Sequence, residues 1–475
     1  MGGSDEVNTS GRRWLTLGTI GDDRRALIDE RGAVSPAAGG WLLDWWVGFD
    51  DQWHAASRTA SVRQRLDGDA PVVETVLRLP SGEVVHRAWA VADADGDATA
   101  VVVEVHNSSS AAVAIAFAVL PWDLTGRTAV SSITLDDMTL RVDGEVALSL
   151  PRAPARSATG DATRDAFAVT SSGGASEAWL GSGASCAQGR ASAACIYPVP
   201  HTASIRVVVP LGDAPVSPER MTRLPEAERV VAGWQAQTDG AARFVLPEHG
   251  VDAMVRAAQR FARIHAAGDV VRDSFGVEVD GLAACELANA LALHGEIDAA
   301  VRILLSLADR QMDDGAFDVD RLDATAAWLV MLDRLVDLAD DESIATPVVD
   351  QVTAAVLALR HRERRGRLRA RGRPFGRGTG PRWITDDDQR IAYDLAWATA
   401  AYAAAASLLA RAGQDDAATD VAGFATAIAP LVTSVPMAGV LDEGRVAVDA
   451  ARAIASPALT ADVGGVAAPA TAGRR

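Results

Sequence analysis

The hydrophobic pattern of this 475-residue chain changes period near Leu211. Before it, apolar residues come in short alternating runs; beyond it, they recur every three to four residues. One layer cannot bury both patterns, so the switch divides the chain into a β part and an α part. Between Trp14 and Leu211, the runs 72–79, 82–91, 99–106, 111–120, 133–142, 145–150, 166–170 and 203–210 are rich in Val, Ile and Thr. Turn residues separate them, as at Pro80–Ser81–Gly82 and Asp143–Gly144. Many short strands without helices between them predict an antiparallel sandwich or barrel. The stretch 151–194 is Ser/Gly/Ala-rich and, apart from 166–170, predicts irregular edge structure.

After Leu211, Pro215, Pro218 and Pro225 mark a linker, and 226–237 reads as a connecting helix with Trp234 on its apolar side. Helical spacing then covers 251–266, 281–294, 297–311, 324–338, 347–359, 389–412 and 415–431. Short glycine turns such as His294–Gly295–Glu296 make consecutive helices antiparallel neighbours. The expected division is a disordered start (1–13), a β-sandwich (14–212), a linker with its helix (213–248), a toroid of helical hairpins (249–457) and a disordered tail (458–475).

Charge and composition narrow the function. A net charge of -18 argues against general nucleic-acid affinity. All 45 basic residues are arginine, which excludes lysine chemistry such as a Schiff base or a P-loop. Cys186, Cys195 and Cys285 form no CxxC pair, and the eight histidines stand singly, so neither a metal site nor an organic cofactor is expected. No apolar run approaches the ~20 residues of a membrane span, and no apolar leader follows the N-terminal charges, so a cytoplasmic protein is expected.

Two stretches stand out. The first is 41–53, where Trp41, Trp45, Trp46, Phe49 and Trp53 lie among aspartates. Trp45 and Trp46 beside Asp44 read as a stacking platform for a sugar ring, or as a plug for one end of the sandwich core. The second is 359–385, where ten arginines between Arg360 and Arg382 are opposed only by Glu363. Its glycines and prolines stop any helix near Arg365. Such a loop is either a solvated connection or a functional one.

The layout resembles glycoside hydrolase family 15, the glucoamylase and trehalase-like enzymes. Four places carry the likeness: LGTIGDDRRALIDERGAV with Asp44–Trp45; the segment 230–266; VEVDGLAACELANALALHGEIDAAVRILLSL; and DVDRLDATAAWLVML. The resemblance implies a β-sandwich, a linker helix and an (α/α)6 barrel. Room remains for roughly eight helices between Val251 and Ala455, where six hairpins need about twelve. Either the toroid is open, or two chains complete one another.

The family's general acid lies in a segment close to G-I-W-E-V-R-G-E-P. Here Gly366, Arg371, Gly372 and Pro374 match it, Leu368 takes the tryptophan's place and Arg369 the acid's. Arginine cannot protonate a leaving oxygen, because its pKa exceeds ~12. The family's W-L-R-D becomes Val279–Asp280, with the aspartate kept and the arginine lost. The nearest echo of its base is Glu443.

Three readings follow. In the first, the chain is a glucoamylase-like homologue with impaired hydrolysis, holding a saccharide through Asp280, Asp323, Trp45, Trp46, Arg369 and Arg371. Asp280 and Asp323 also suit plain helix caps. In the second, hydrolysis survives on a displaced acid, Glu286 or Asp388, with Glu443 as base, since inversion needs two carboxyls. In the third, the loop 360–382 holds an anion. Its only aromatics, Phe375 and Trp383, lie outside the densest arginines, which argues against stacked nucleic-acid bases.

Overall fold

The structure is a computed structural model. It describes residues 14–433 apart from 38, 60, 93–98, 124–125, 137, 178–182, 245–248, 319–320 and 366–386.

Two antiparallel sheets form the β part. The first runs, in spatial order, Trp14–Leu17, Ala26–Asp29, Val34–Pro36, Leu42–Phe49, Val113–Leu120, Ser192–Val199 and Arg156–Gly160, with Gln52–Ala55 off the fourth strand. The second centres on Gly82–Ala92, Thr99–Asn107 and Ser204–Pro210. Long registers hold each together; Trp45 lies opposite Phe117, which lies opposite Cys195. Valine-rich alternation produces the inter-sheet core, in which Val101, Val103, Val105, Val207 and Val209 are buried.

Three corrections arise here. The run 166–170 is no strand but helix α1 (Ala166–Ser171), capped by Asp165, whose carboxylate accepts the Ala168 N–H at 2.7 Å. Six residues carry too little period to decide, and the outer face of the first sheet decides for them. Phe167 of α1 meets Trp46 edge-on, with ring centres 5.0 Å apart. The region 151–194, expected to be irregular, supplies strand Arg156–Gly160 and the start of Ser192–Val199. Of the two readings of Trp45 and Trp46, burial supports the core plug and not the sugar platform: each is 1% exposed and offers a ring no face. They are consecutive, so they point to opposite sides of the sheet. Trp45 enters the inter-sheet core and Trp46 the layer under α1, each burial stabilising by roughly 1.5–3 kcal/mol.

The α part begins with the short α2 (Pro218–Met221) and the connecting helix α3 (Ala227–Gln237). It continues through α4 (His249–His265), α5 (Gly281–Leu293), α6 (Ile297–Asp309), α7 (Leu322–Ala339), α8 (Val349–Arg365), α9 (Asp387–Arg411) and α10 (Asp415–Thr433). Helices α5, α7 and α9 pack side by side, with α6, α8 and α10 against them. The core between them is small-residue and leucine-rich, with Trp328, Leu329, Leu332 and Tyr402 fully buried. Among the described residues one stretch, Glu342–Arg362, has the length and composition of a membrane span, with hydropathy 1.2. Val352, Ala355, Val356 and Leu359 on it are buried in this helical core.

The two parts are joined by buried contacts. Trp234 of α3 and Phe261 and Ile264 of α4 belong to the sandwich core. Arg25, 3% exposed, reaches from the sandwich into the helical part. It donates to the carbonyls of Ile264 at 2.8 Å, Arg272 at 2.8 Å and Asp273 at 2.5 Å. Burial pulls its pKa down to about 10; the three carbonyls take its two Nη groups, while its Nε is buried without a hydrogen-bond partner.

Candidate functional site

Short connections reverse direction between successive helices, so α5 and α7 run parallel and start at the same end. There Asp280 caps α5, its Oδ1 accepting the Ala283 N–H at 2.8 Å. Its Oδ2 takes a second contact, from Arg321 Nη1 at 3.2 Å. Arg321 is the residue before α7, and its backbone N–H is held by Asp318 at 3.0 Å. Its side chain then turns back onto Asp323, Nε to Oδ1 at 2.9 Å and Nη2 to Oδ2 at 2.8 Å. Tyr393 of α9 completes the group by donating its hydroxyl to Asp323 Oδ2 at 3.0 Å.

Asp323 was expected to cap α7. It does not: Arg321 holds the cap position with no side-chain cap bond, and Asp323 lies inside the first turn. Its side chain is 0% exposed. Two planar N–H groups and one phenol surround its carboxylate, which also gains from the positive end of the helix. Burial alone would lower the Arg321 pKa, but the hydrogen bond and charge of Asp323, with Asp280 beyond, hold it above its ordinary value. Burial and the adjacent Asp323 raise that of Tyr393.

Glu286, six residues into α5, faces the same cluster. Burial, reinforced by the charges of Asp280 and Asp323 and only partly offset by Arg321, pushes its pKa up to about 7. Its Oε2 is buried without a hydrogen-bond partner. The cluster therefore pairs a fixed carboxylate–guanidinium grip with a carboxyl able to hold a proton near neutrality. Asp280 keeps 48% of its side chain exposed, so the group opens to solvent at that end.

Three of the residues singled out in the sequence, Asp280, Glu286 and Asp323, thus come together. Trp45 and Trp46 belong to the sandwich, away from this site. Arg369, Arg371 and Glu443 lie outside the described residues, and Asp388 lies in the first turn of α9, of which the backbone alone is described. Two arginines that begin the basic run are described, and both face inward. Arg360 sits 3.9 Å from the ring centre of Phe424, and Arg362 donates to the Asp318 carbonyl. Sequence reasoning missed Arg321 and Tyr393. A signal for Arg321 existed in its place two residues before an aspartate at a helix start; Tyr393, 70 residues from Asp323, had none.

No protein-family model and no curated protein matches this chain. Among solved structures, it is similar to a bacterial glucoamylase complexed with acarbose. The match has a TM-score of 0.56 at 11% identity and covers 88% of this chain and 67% of that one. The fold is glycoside-hydrolase-like. A GH92-family glycosyl hydrolase matches at TM-score 0.40 and 11% identity, over 88% of this chain and 61% of its own. The likeness at this identity is one of fold, and it does not single out family 15.

Proposed function

We propose that this chain is a carbohydrate-recognising member of the glucoamylase-like fold, with an incomplete (α/α)6-type toroid and impaired hydrolysis. The saccharide site is the helix-end cluster of Asp280, Glu286, Arg321, Asp323 and Tyr393. The observation that carries this reading is Asp323, a fully buried carboxylate gripped by Arg321 and Tyr393 next to Glu286, whose Oε2 is unpartnered. A saccharide hydroxyl both donates and accepts, which suits a site holding carboxylates, a guanidinium and a phenol in fixed positions. Impairment follows from the sequence: with Arg369 in the acid's place, the loop offers no proton to a leaving oxygen.

A second reading rests on Glu286 itself. A carboxyl held near pKa 7 can act as a displaced general acid, which would preserve hydrolysis. Glucose release from maltose, trehalose and short α-glucan oligomers separates the two, with Glu286→Gln and Asp280→Ala run alongside. No release above the variants supports the impaired binder. Release that Glu286→Gln abolishes establishes the second reading instead.

A further inference from the structure

A cavity of ≈ 550 Å³ lies where the sandwich meets the helical part, and it shares no lining residue with the helix-end cluster. Its size falls within the ~300–1,000 Å³ of small-molecule sites. The turn from Thr19 to Arg24 forms one wall, and the hairpin pairing Ala266–Ala267 with Val270–Val271 forms the facing one, with Arg272 beside it. The buried Arg25 ties these walls together through the Arg272 and Asp273 carbonyls, so the cavity is preformed.

The lining charges balance: Asp22 and Asp23 face Arg24 and Arg272. Asp22 is committed to Arg24, with Nη2 to Oδ2 at 2.7 Å and Nε to Oδ1 at 3.0 Å. Arg272 gives Nη1 to the Gly276 carbonyl at 3.0 Å, but its closest approach to Asp23, 3.8 Å, is too long for a hydrogen bond, which leaves Asp23 and the Nε edge of the guanidinium for a ligand. The Thr19 hydroxyl is buried with no hydrogen-bond partner. Ile20, 37% exposed, and Val270 add apolar surface.

These groups select by exclusion. An anion would meet two carboxylates, a cation two guanidinium groups, and an apolar ligand would strip water from both. What remains is a neutral molecule rich in donors and acceptors, with a C–H face. We infer that the cavity is a second binding site, for a neutral polyhydroxylated ligand of mono- or disaccharide size. Its hydroxyls lie on Thr19, Asp23 and Arg272, and its C–H face on Ile20 and Val270. The assignment stands apart from the helix-end site, since it rests on different residues.

Calorimetry and saturation-transfer NMR of the full chain with maltose test it. Thr19→Val with Arg272→Gln preserves the backbone carbonyls that hold Arg25, and thermal melting checks the fold. Maltose affinity at one class of site then falls about tenfold, the scale of one lost hydrogen bond to a charged group, while Asp280→Ala leaves that class unchanged. Ile20→Trp, on an exposed side chain, fills the mouth and weakens the same class. Binding lost with Asp280→Ala but untouched by all the junction variants overturns this inference and leaves the helix-end reading intact. The reverse pattern retains this site and overturns the other. Glucose 6-phosphate or glucosamine binding the junction more tightly than glucose overturns the neutral-ligand assignment, and no maltose binding at all overturns both sites.

Discussion

Arg321 holds Asp323 through two parallel hydrogen bonds of 2.9 and 2.8 Å, although the carboxylate is wholly buried and the guanidinium is 30% exposed. Removing the guanidinium leaves a buried charge with one phenol for company. Arg321→Met is expected to destabilise the protein by roughly 2–4 kcal/mol, somewhat less than the ~3–5 of a fully buried pair. Chemical denaturation measures this, and an unchanged midpoint would show that the pair holds nothing in place.

Tyr393→Phe removes one donor to Asp323 and leaves the ring. The expected loss is about 1–2 kcal/mol, the cost of one unsatisfied bond to a buried acceptor. Arg321 remains, so the loss should be smaller than for Arg321→Met, and the two should be non-additive because they share a partner.

Glu286 gives the site a pH dependence of known sign. Its folded pKa of about 7 lies above the ordinary 4.5. Between these values the unfolded chain loses the proton first, so stability falls as pH rises from about 4.5 to 7 and then levels off. Glu286→Gln should remove this slope and stabilise the protein at pH 8 by on the order of 1–3 kcal/mol, from 1.36 kcal/mol per pKa unit less solvent screening. Melting curves of both proteins at pH 5 and pH 8 check it; parallel pH profiles would show that Glu286 ionises normally.

Arg25 joins the two parts of the chain. Arg25→Met withdraws hydrogen bonds from three carbonyls, that of Ile264 buried and those of Arg272 and Asp273 partly so, and should cost on the order of 3 kcal/mol. Calorimetry should then resolve separate transitions for the sandwich and the helices, whereas a single transition is expected of the parent. A single transition in the variant would mean that the shared core around Trp234 and Phe261 suffices.

Much of the fold was legible, because burial imposes a period on each element. The change near Leu211 divided strands from helices, and α5, α6, α9 and α10 start and end close to where their spacing says. The period failed at 166–170, where five residues are too few and the cover they give Trp46 decided the conformation. It could not decide between the two readings of Trp45 and Trp46, because a sheet buried on both faces hides consecutive residues equally well. At the site, Asp280 and Asp323 were visible as acids at helix starts. Their meeting through Arg321 was not, since 41 residues separate Asp280 from the arginine that touches it. The role of Glu286 depends on burial and neighbouring charge, which no spacing in α5 reveals.

A calorimetric titration of the full chain and of Asp280→Ala with maltose is the most direct test of the helix-end site. Asp280 is half exposed at its mouth, so the variant removes a ligand-facing carboxylate and costs the fold a helix cap and one partly exposed contact to Arg321. The expected result is a component of maltose binding in the parent that weakens about tenfold in the variant, as loss of one charge-assisted hydrogen bond requires. Identical isotherms for the two proteins would contradict the assignment of this cluster as the saccharide site.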